Sequence, residues 1–193
     1  MDSYRLSIIL LTLAACSGDS KDTDTDDTDL ADTETMDSET MDTDPGMMEP
    51  TDAERAASLW AAIADSANWD QPTGWEGIQY RSDDASPHGP WVEIFMNDAA
   101  ADSWSGLAGG GELADGSILV KRYYDASDAA EPQDVYLVMQ RIEGYGATDW
   151  FWASFDGTGA ADPLGDVGMC TGCHTSGSDY VRAATDVPGT PPT

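Results

Sequence analysis

Basic residues are scarce in this chain of 193 residues: eight lysines and arginines face 37 aspartates and glutamates, for a formal net charge of −29. So acidic a protein is a poor partner for nucleic acid, whose binding rests on cations that neutralise phosphates. Cysteine is nearly absent, at three residues, and histidine at two. A domain of this size buries enough surface to dispense with a disulfide scaffold, so those few cysteines are free for chemistry. No apolar run approaches the ~20 residues that span a bilayer, and no internal repeat is present.

What is there begins with a leader. Met1 to Cys16 contains Arg5, an apolar run from Leu6 to Leu13, and then Leu13-Ala14-Ala15-Cys16. This is the pattern of a bacterial lipoprotein signal, with Cys16 as the lipidated N-terminus and membrane anchor. An ordinary signal peptide is the alternative, and Asp2 weakens the positive leader. Export is expected either way, and Ser17 after Cys16 favours the outer membrane. From 17 to 50 the chain holds thirteen acids and one lysine, with runs such as Asp22-Thr23-Asp24-Thr25-Asp26. Such a stretch has too little apolar surface to offset ordering entropy and is expected to be a disordered tether. Calcium binding is the rival use of its carboxylates, but the glycine turn and spacing of a calcium loop are missing.

The folded domain is expected over 51–187, followed by a frayed tail at 188–193. Thr51 and Glu54 have capping-box spacing, and Leu59, Trp60 and Ile63 share one face of a helix expected over 52–66. Trp91 to Met96 reads as a buried strand, after which Asn97 caps a short helix through Trp104. Gly109-Gly110-Gly111 and Asp115-Gly116 are turn signals before a strand from Ser117 to Tyr124, and further strands are expected over 135–142 and 149–155. Alternation puts Leu119, Lys121 and Tyr123 on one face of their strand and Ile118, Val120, Arg122 and Tyr124 on the other. The class is α+β, a predominantly antiparallel sheet with flanking helices.

Late in the chain stands Cys170-Thr171-Gly172-Cys173-His174. Cys-x-x-Cys-His is the attachment signature of c-type haem, in which two thiols add to the vinyl groups and the histidine ligates iron. One covalent haem c held by Cys170, Cys173 and His174 is therefore expected. A disulfide between the two cysteines is a second reading. Zinc would need a fourth ligand, and His88 is the only other histidine. A thioredoxin-like pair would follow a strand, whereas Asp162-Pro163-Leu164-Gly165-Asp166 reads as loop.

The wider pattern resembles the cytochrome P-460 family, including the beta-type cytochromes c′. The resemblance rests on Asn68-Trp69, Ser86-Pro87-His88-Gly89, Phe95-Met96-Asn97-Asp98-Ala99 and Asp115-Gly116-Ser117-Ile118-Leu119-Val120-Lys121. Asp149-Trp150-Phe151-Trp152-Ala153 and the late haem motif complete it, over roughly 52–182. It implies an antiparallel sheet with helices, a haem with histidine on one side and an open site on the other, and often a homodimer through the sheet. In the cytochrome P-460 branch a lysine of the strand after Asp-Gly is linked to the haem ring, which here is Lys121. Lys121 is the only lysine from Thr51 onward, and its flanking Leu119 and Tyr123 suggest a desolvated amine able to act as a nucleophile. An edge-strand lysine reaching water is the plainer reading.

Seven tryptophans fall between 60 and 152; Trp91 or Phe95 is expected near the haem, and core packing accounts for most of the rest. His88 is a candidate distal ligand or proton relay, against an ordinary role in a turn. Glu93, Glu143 and Asp149 are the candidates for the distal acid used by the family's enzymes. Three functions follow: oxidation of hydroxylamine or a related small nitrogen compound with electrons passed to a redox partner, capture of nitric oxide or carbon monoxide, and plain electron transfer. The last would close the iron with Met96, Met139 or His88, Met169 being badly placed beside the haem cysteines.

Overall fold

Thr51 begins the fold as a helix cap. Its hydroxyl accepts from the Glu54 N–H at 3.3 Å while the Glu54 carboxylate accepts from the Thr51 N–H at 2.8 Å, so two donors that a helix start leaves bare are satisfied. Helix α1 (Asp52–Ala62) buries Ala56 and Leu59. The helix expected to 66 ends at Ala62, and the chain tightens into a 3-10 turn over Ile63–Asn68. There the Asn68 amide donates to the Asp65 carboxylate, the local side-chain pairing by which Asp and Asn compete with helical geometry. The computed structural model describes residues 48–82 and 88–191. Cys16, the leader and the acidic stretch up to 47 lie outside the described residues, as do Ser86 and Pro87.

Six strands form one antiparallel sheet in chain order: β1 (Gln79–Tyr80), β2 (Trp91–Met96), β3 (Ile118–Tyr124), β4 (Val135–Arg141), β5 (Trp150–Asp156) and β6 (Ala161–Gly165). The α+β reading is correct, and β2 to β5 fall within a residue of their expected bounds. β6 is a correction, since 161–165 reads as loop from its Asp-Pro and glycine. The segment is a strand because Leu164 and Gly165 pair with Ala153 and Trp152 of β5. Pro163 lacks an N–H, which is tolerated because β6 is the edge of the sheet.

Helix α2 (Asp98–Leu107) runs three residues past the expected Trp104. Its cap, Asn97, accepts from Ala100 N–H at 3.1 Å and Ile118 N–H at 2.9 Å and donates to the Gly116 carbonyl at 3.0 Å. One side chain thus ties the start of α2 to the turn and strand behind it. Pairing of Phe95 with Val120, Val120 with Val138 and Val138 with Ala153 gathers an apolar face that α1 covers through Ala56, Leu59 and Ile63. The opposite face carries Ile94, Lys121 and Leu137 in register. It is covered by α2, by α3 (Gly168–His174) and by the segment after it, through Leu107, Val181 and their neighbours. Among the described residues no helix is long and apolar enough to cross a membrane.

Candidate haem site

Between α3 and the Lys121 face lies an open-mouthed cavity with a mainly apolar lining, the character of a cofactor cleft. Ile94, Leu119, Leu137, Met139 and Trp152 give it an apolar floor, and Cys170, Cys173 and His174 enter from α3. The seven residues of α3 put positions 170, 173 and 174 on one face, because side chains three and four apart lie over one another. Both thiols are free, Cys170 half-buried and Cys173 exposed. Burial, with Cys173 beside it, pushes the Cys170 thiol up.

His174 is oriented by one hydrogen bond. Its Nδ1 lies 2.8 Å from the Tyr180 carbonyl, which can only accept, so Nδ1 carries the proton and Nε2 keeps its lone pair. Burial lowers its pKa to about 4 despite that bond, so the ring stays neutral, as a ligand must. Trp152 packs edge-on against it, ring centroids 4.8 Å apart. The Tyr180 carbonyl is in turn held by its neighbour. Asp179 and Tyr180 both have left-handed backbone, φ 47° and 61°, a conformation held only where surroundings over-determine it. The Asp179 carboxylate accepts from Leu113 N–H at 2.8 Å, Arg141 Nη1 at 2.8 Å and Trp150 Nε1 at 3.3 Å. Burial pushes its carboxyl up and these donors pull it back.

Lys121 lines the cavity with Leu119, as alternation places it, while Tyr123 packs against the Trp75, Val92 and Ile94 cluster. Burial lowers its pKa to about 7, aided by the charges of Arg81 and Arg182. The plainer reading, a lysine on an edge strand, does not hold, because β3 has β2 on one side and β4 on the other.

Other expectations are corrected. Trp91 and Phe95 point away from the cavity: Trp91 packs on Tyr80 at 5.1 Å and Phe95 lies beneath α1. Trp75 and Trp152 line it instead. Ile94 is the residue opposite Lys121, so the even positions of β2 face inward, a register that no single strand reveals. Glu93 accepts from the Tyr124 hydroxyl on the other face, Glu143 is exposed, and Asp149 pairs with Arg141 at 3.4 Å. None lines the cavity, whereas Asp186 does. Asp186 stands two residues before the expected tail at 188–193, and nothing local signals its role. Met139 and Met169 line the cavity and Met96 does not. His88 also enters, its ring 6.0 Å from that of His174 and its Nδ1 buried without a hydrogen-bond partner. Burial, then Lys121, lowers its pKa to about 2. Gly89 makes this approach feasible: its φ is +70°, and a Cβ there would stand 2.6 Å from the Tyr123 ring.

The cytochrome P-460 family profile matches residues 72–182, more than half of the chain. This chain belongs to the cytochrome P-460 family. It is thereby a haem c protein that binds iron, and no curated protein matches it. The residues fit a haem: a neutral histidine with a free Nε2, two thiols one turn apart, an apolar floor and the orphaned polar atoms His88 Nδ1 and Trp152 Nε1. Among the described residues no group of three or more His, Cys, Asp or Glu is placed to hold a metal ion by itself.

Proposed function

We propose that this member of the cytochrome P-460 family carries one covalent haem c and oxidises hydroxylamine or a related small nitrogen compound. Cys170 and Cys173 would supply the thioether bonds and His174 Nε2 the iron ligand. The observation that carries the reading is Lys121: the only lysine after Thr51 lines the same cavity as the haem-motif side chains, with an amine lowered to about 7. Half of such amines are neutral at physiological pH and competent to attack carbon, so Lys121 is the residue for a ring cross-link. When bound, haem supplies a redox-active iron with a coordination position for the substrate nitrogen. The chain does the rest. Ile94, Leu119 and Leu137 exclude water and strengthen every electrostatic contact inside. Asp186 is the carboxylate on hand to accept a proton, and His88, kept neutral by burial, offers an unpartnered Nδ1 for hydrogen bonding.

A second reading, capture of nitric oxide or carbon monoxide as in beta-type cytochromes c′, is favoured by one observation. The three carboxylates expected in the pocket are outside it, and Asp186 is engaged by Arg182 at 2.8 Å. We further propose export, lipidation at Cys16, the stretch 17–50 as tether, and a basic redox partner drawn to the acidic surface.

The test is the full chain matured with c-type haem. A ferrous band displaced far to the red, with haem still attached in a Cys170→Ala/Cys173→Ala double variant and lost when Lys121→Met is added, supports the cross-link and hydroxylamine turnover. An unshifted high-spin spectrum that responds to nitric oxide supports the second reading. A sharp low-spin spectrum abolished by His88→Ala marks an electron carrier, and absence of haem sinks the proposal.

A further inference from the structure

Two consecutive residues that carry a Cβ, Asp179 and Tyr180, stand in the left-handed region, with φ 47° and 61°. Residues other than glycine enter that region at a cost, and two in succession need contacts that hold them there. Here the contacts come from four separate positions of the chain. Just before the pair, the Ser178 hydroxyl donates to the Leu107 carbonyl, at the end of α2, at 2.8 Å. The Asp179 carboxylate takes Leu113 N–H, Arg141 Nη1 from the end of β4 and Trp150 Nε1 from the start of β5. Val181 N–H closes the turn on the Ser178 carbonyl at 2.8 Å. A Cβ at Gly177 would stand 2.6 Å from the Val181 carbonyl carbon, so the turn is drawn too tight for a side chain at that position.

Arg141, the charged partner, is itself fixed. Its N–H donates to the Ser117 carbonyl at 2.8 Å, its own carbonyl accepts from Gly116 N–H at 3.0 Å, and its Nη2 reaches Glu112 at 2.6 Å. The Arg141 and Asp179 side chains are 9% and 4% exposed, and a pair so buried leaves an uncompensated charge if either member moves away. The brace is therefore rigid, and what it aims is the Tyr180 carbonyl, 2.8 Å from His174 Nδ1. The acceptor offered to His174 is thus a neutral carbonyl, while the adjoining carboxylate is committed to Arg141.

We propose that Asp179, held by Arg141, is the positioning residue of the iron ligand: it keeps the Tyr180 carbonyl on His174 Nδ1 and thereby sets the strength of the iron–nitrogen bond and the reduction potential. The assignment rests on the haem reading above. A ligating histidine takes its tautomer, its ring orientation and its basicity from the acceptor on its other nitrogen. Oxidised iron carries the greater positive charge and gains more from a basic ligand, so loss of the acceptor raises the potential. Loss of the Asp179 charge acts in the same direction, because it leaves the Arg141 cation less compensated.

The experiment uses the full-length holoprotein and reads two quantities, the iron–histidine stretching frequency of the ferrous form by resonance Raman and the midpoint potential. Asp179→Ala is expected to lower the frequency and to shift the reduced-to-oxidised ratio at a fixed potential about tenfold toward reduced, which is about 59 mV for one electron. Asp179→Asn offers an acceptor oxygen and tolerates the left-handed region, so it should recover most of the frequency while its potential stays above that of the wild type. Glu112→Gln, altered on the exposed side of Arg141, should leave the frequency where it is. A frequency and a potential that both stay put in Asp179→Ala overturn the proposal whatever the loss of stability, as does an Asn variant that matches Ala in both. Should Asp179→Ala fail to accumulate, Asp179→Asn decides alone, and a potential at the wild-type value overturns the proposal. A wild-type chain without haem would remove the underlying reading as well, whereas attached haem with an unmoved frequency and potential removes this assignment only.

Discussion

The two faces of one sheet differ in how they are closed. Beneath α1, Phe95, Val120, Val138, Phe151 and Phe155 pack into one buried core. On the other face the strands are as well paired, yet the cover is α3, which buries none of its own residues, and a succession of turns. A helix with a broad apolar stripe fills the space it covers, whereas a seven-residue helix held at its margins can roof a cavity. The packed face supplies stability, and the roofed face holds every group to which we assign chemistry.

Phe155→Ala would test the packed side. It removes a fully buried ring and is expected to lower stability by about 3–5 kcal/mol, read by denaturant midpoint, with the haem spectrum unchanged. A shifted spectrum would mean that the faces are not independent. Asp179→Ala should break the separation from the other side. It leaves Arg141, 9% exposed, without its most buried partner and is expected to cost about 3 kcal/mol. Because Asp179 sets the Tyr180 carbonyl, it should also alter the iron–histidine vibration, which Phe155→Ala does not.

Lys121 sharpens the contrast through pH. In the haem-free chain its folded pKa is about 7, below the ordinary lysine value of 10.5. Between the two, the unfolded chain holds a proton that the folded chain does not, so stability rises with pH across that window, by at most about 1.4 kcal/mol per unit. Below pH 7 both states are protonated and the slope vanishes. Lys121→Met should remove it, as comparison of denaturation midpoints at pH 7 and 9 would show. The smallest effect belongs to Thr51→Ala, which deletes the α1 cap for about 1 kcal/mol and should leave ligand binding on the roofed face untouched.

Much of this was legible in advance. The capping box of α1, the Asn97 cap, the alternation of β3 and the haem motif on a helical turn all depend on residues within four positions of one another, so their physics is local. β6 was not legible, because Ala161–Gly165 becomes a strand only by pairing with β5. Nor was the aromatic lining: Trp91 and Phe95 were favoured over Trp75 and Trp152 because the parity of β2 is set by its pairing to β3.

By itself, then, the order of residues determined the chemistry at hand: two thiols and an imidazole on one turn, a solitary lysine on a strand, and an acidic chain with few cations to deploy. Only the tertiary structure decided where those cations went and which carboxylate joined them. Arg81, Lys121, Arg182 and Asp186 are spread over more than a hundred positions and meet through strand register and the return of the chain after α3. Such meetings depend on packing between distant segments, which no local spacing encodes.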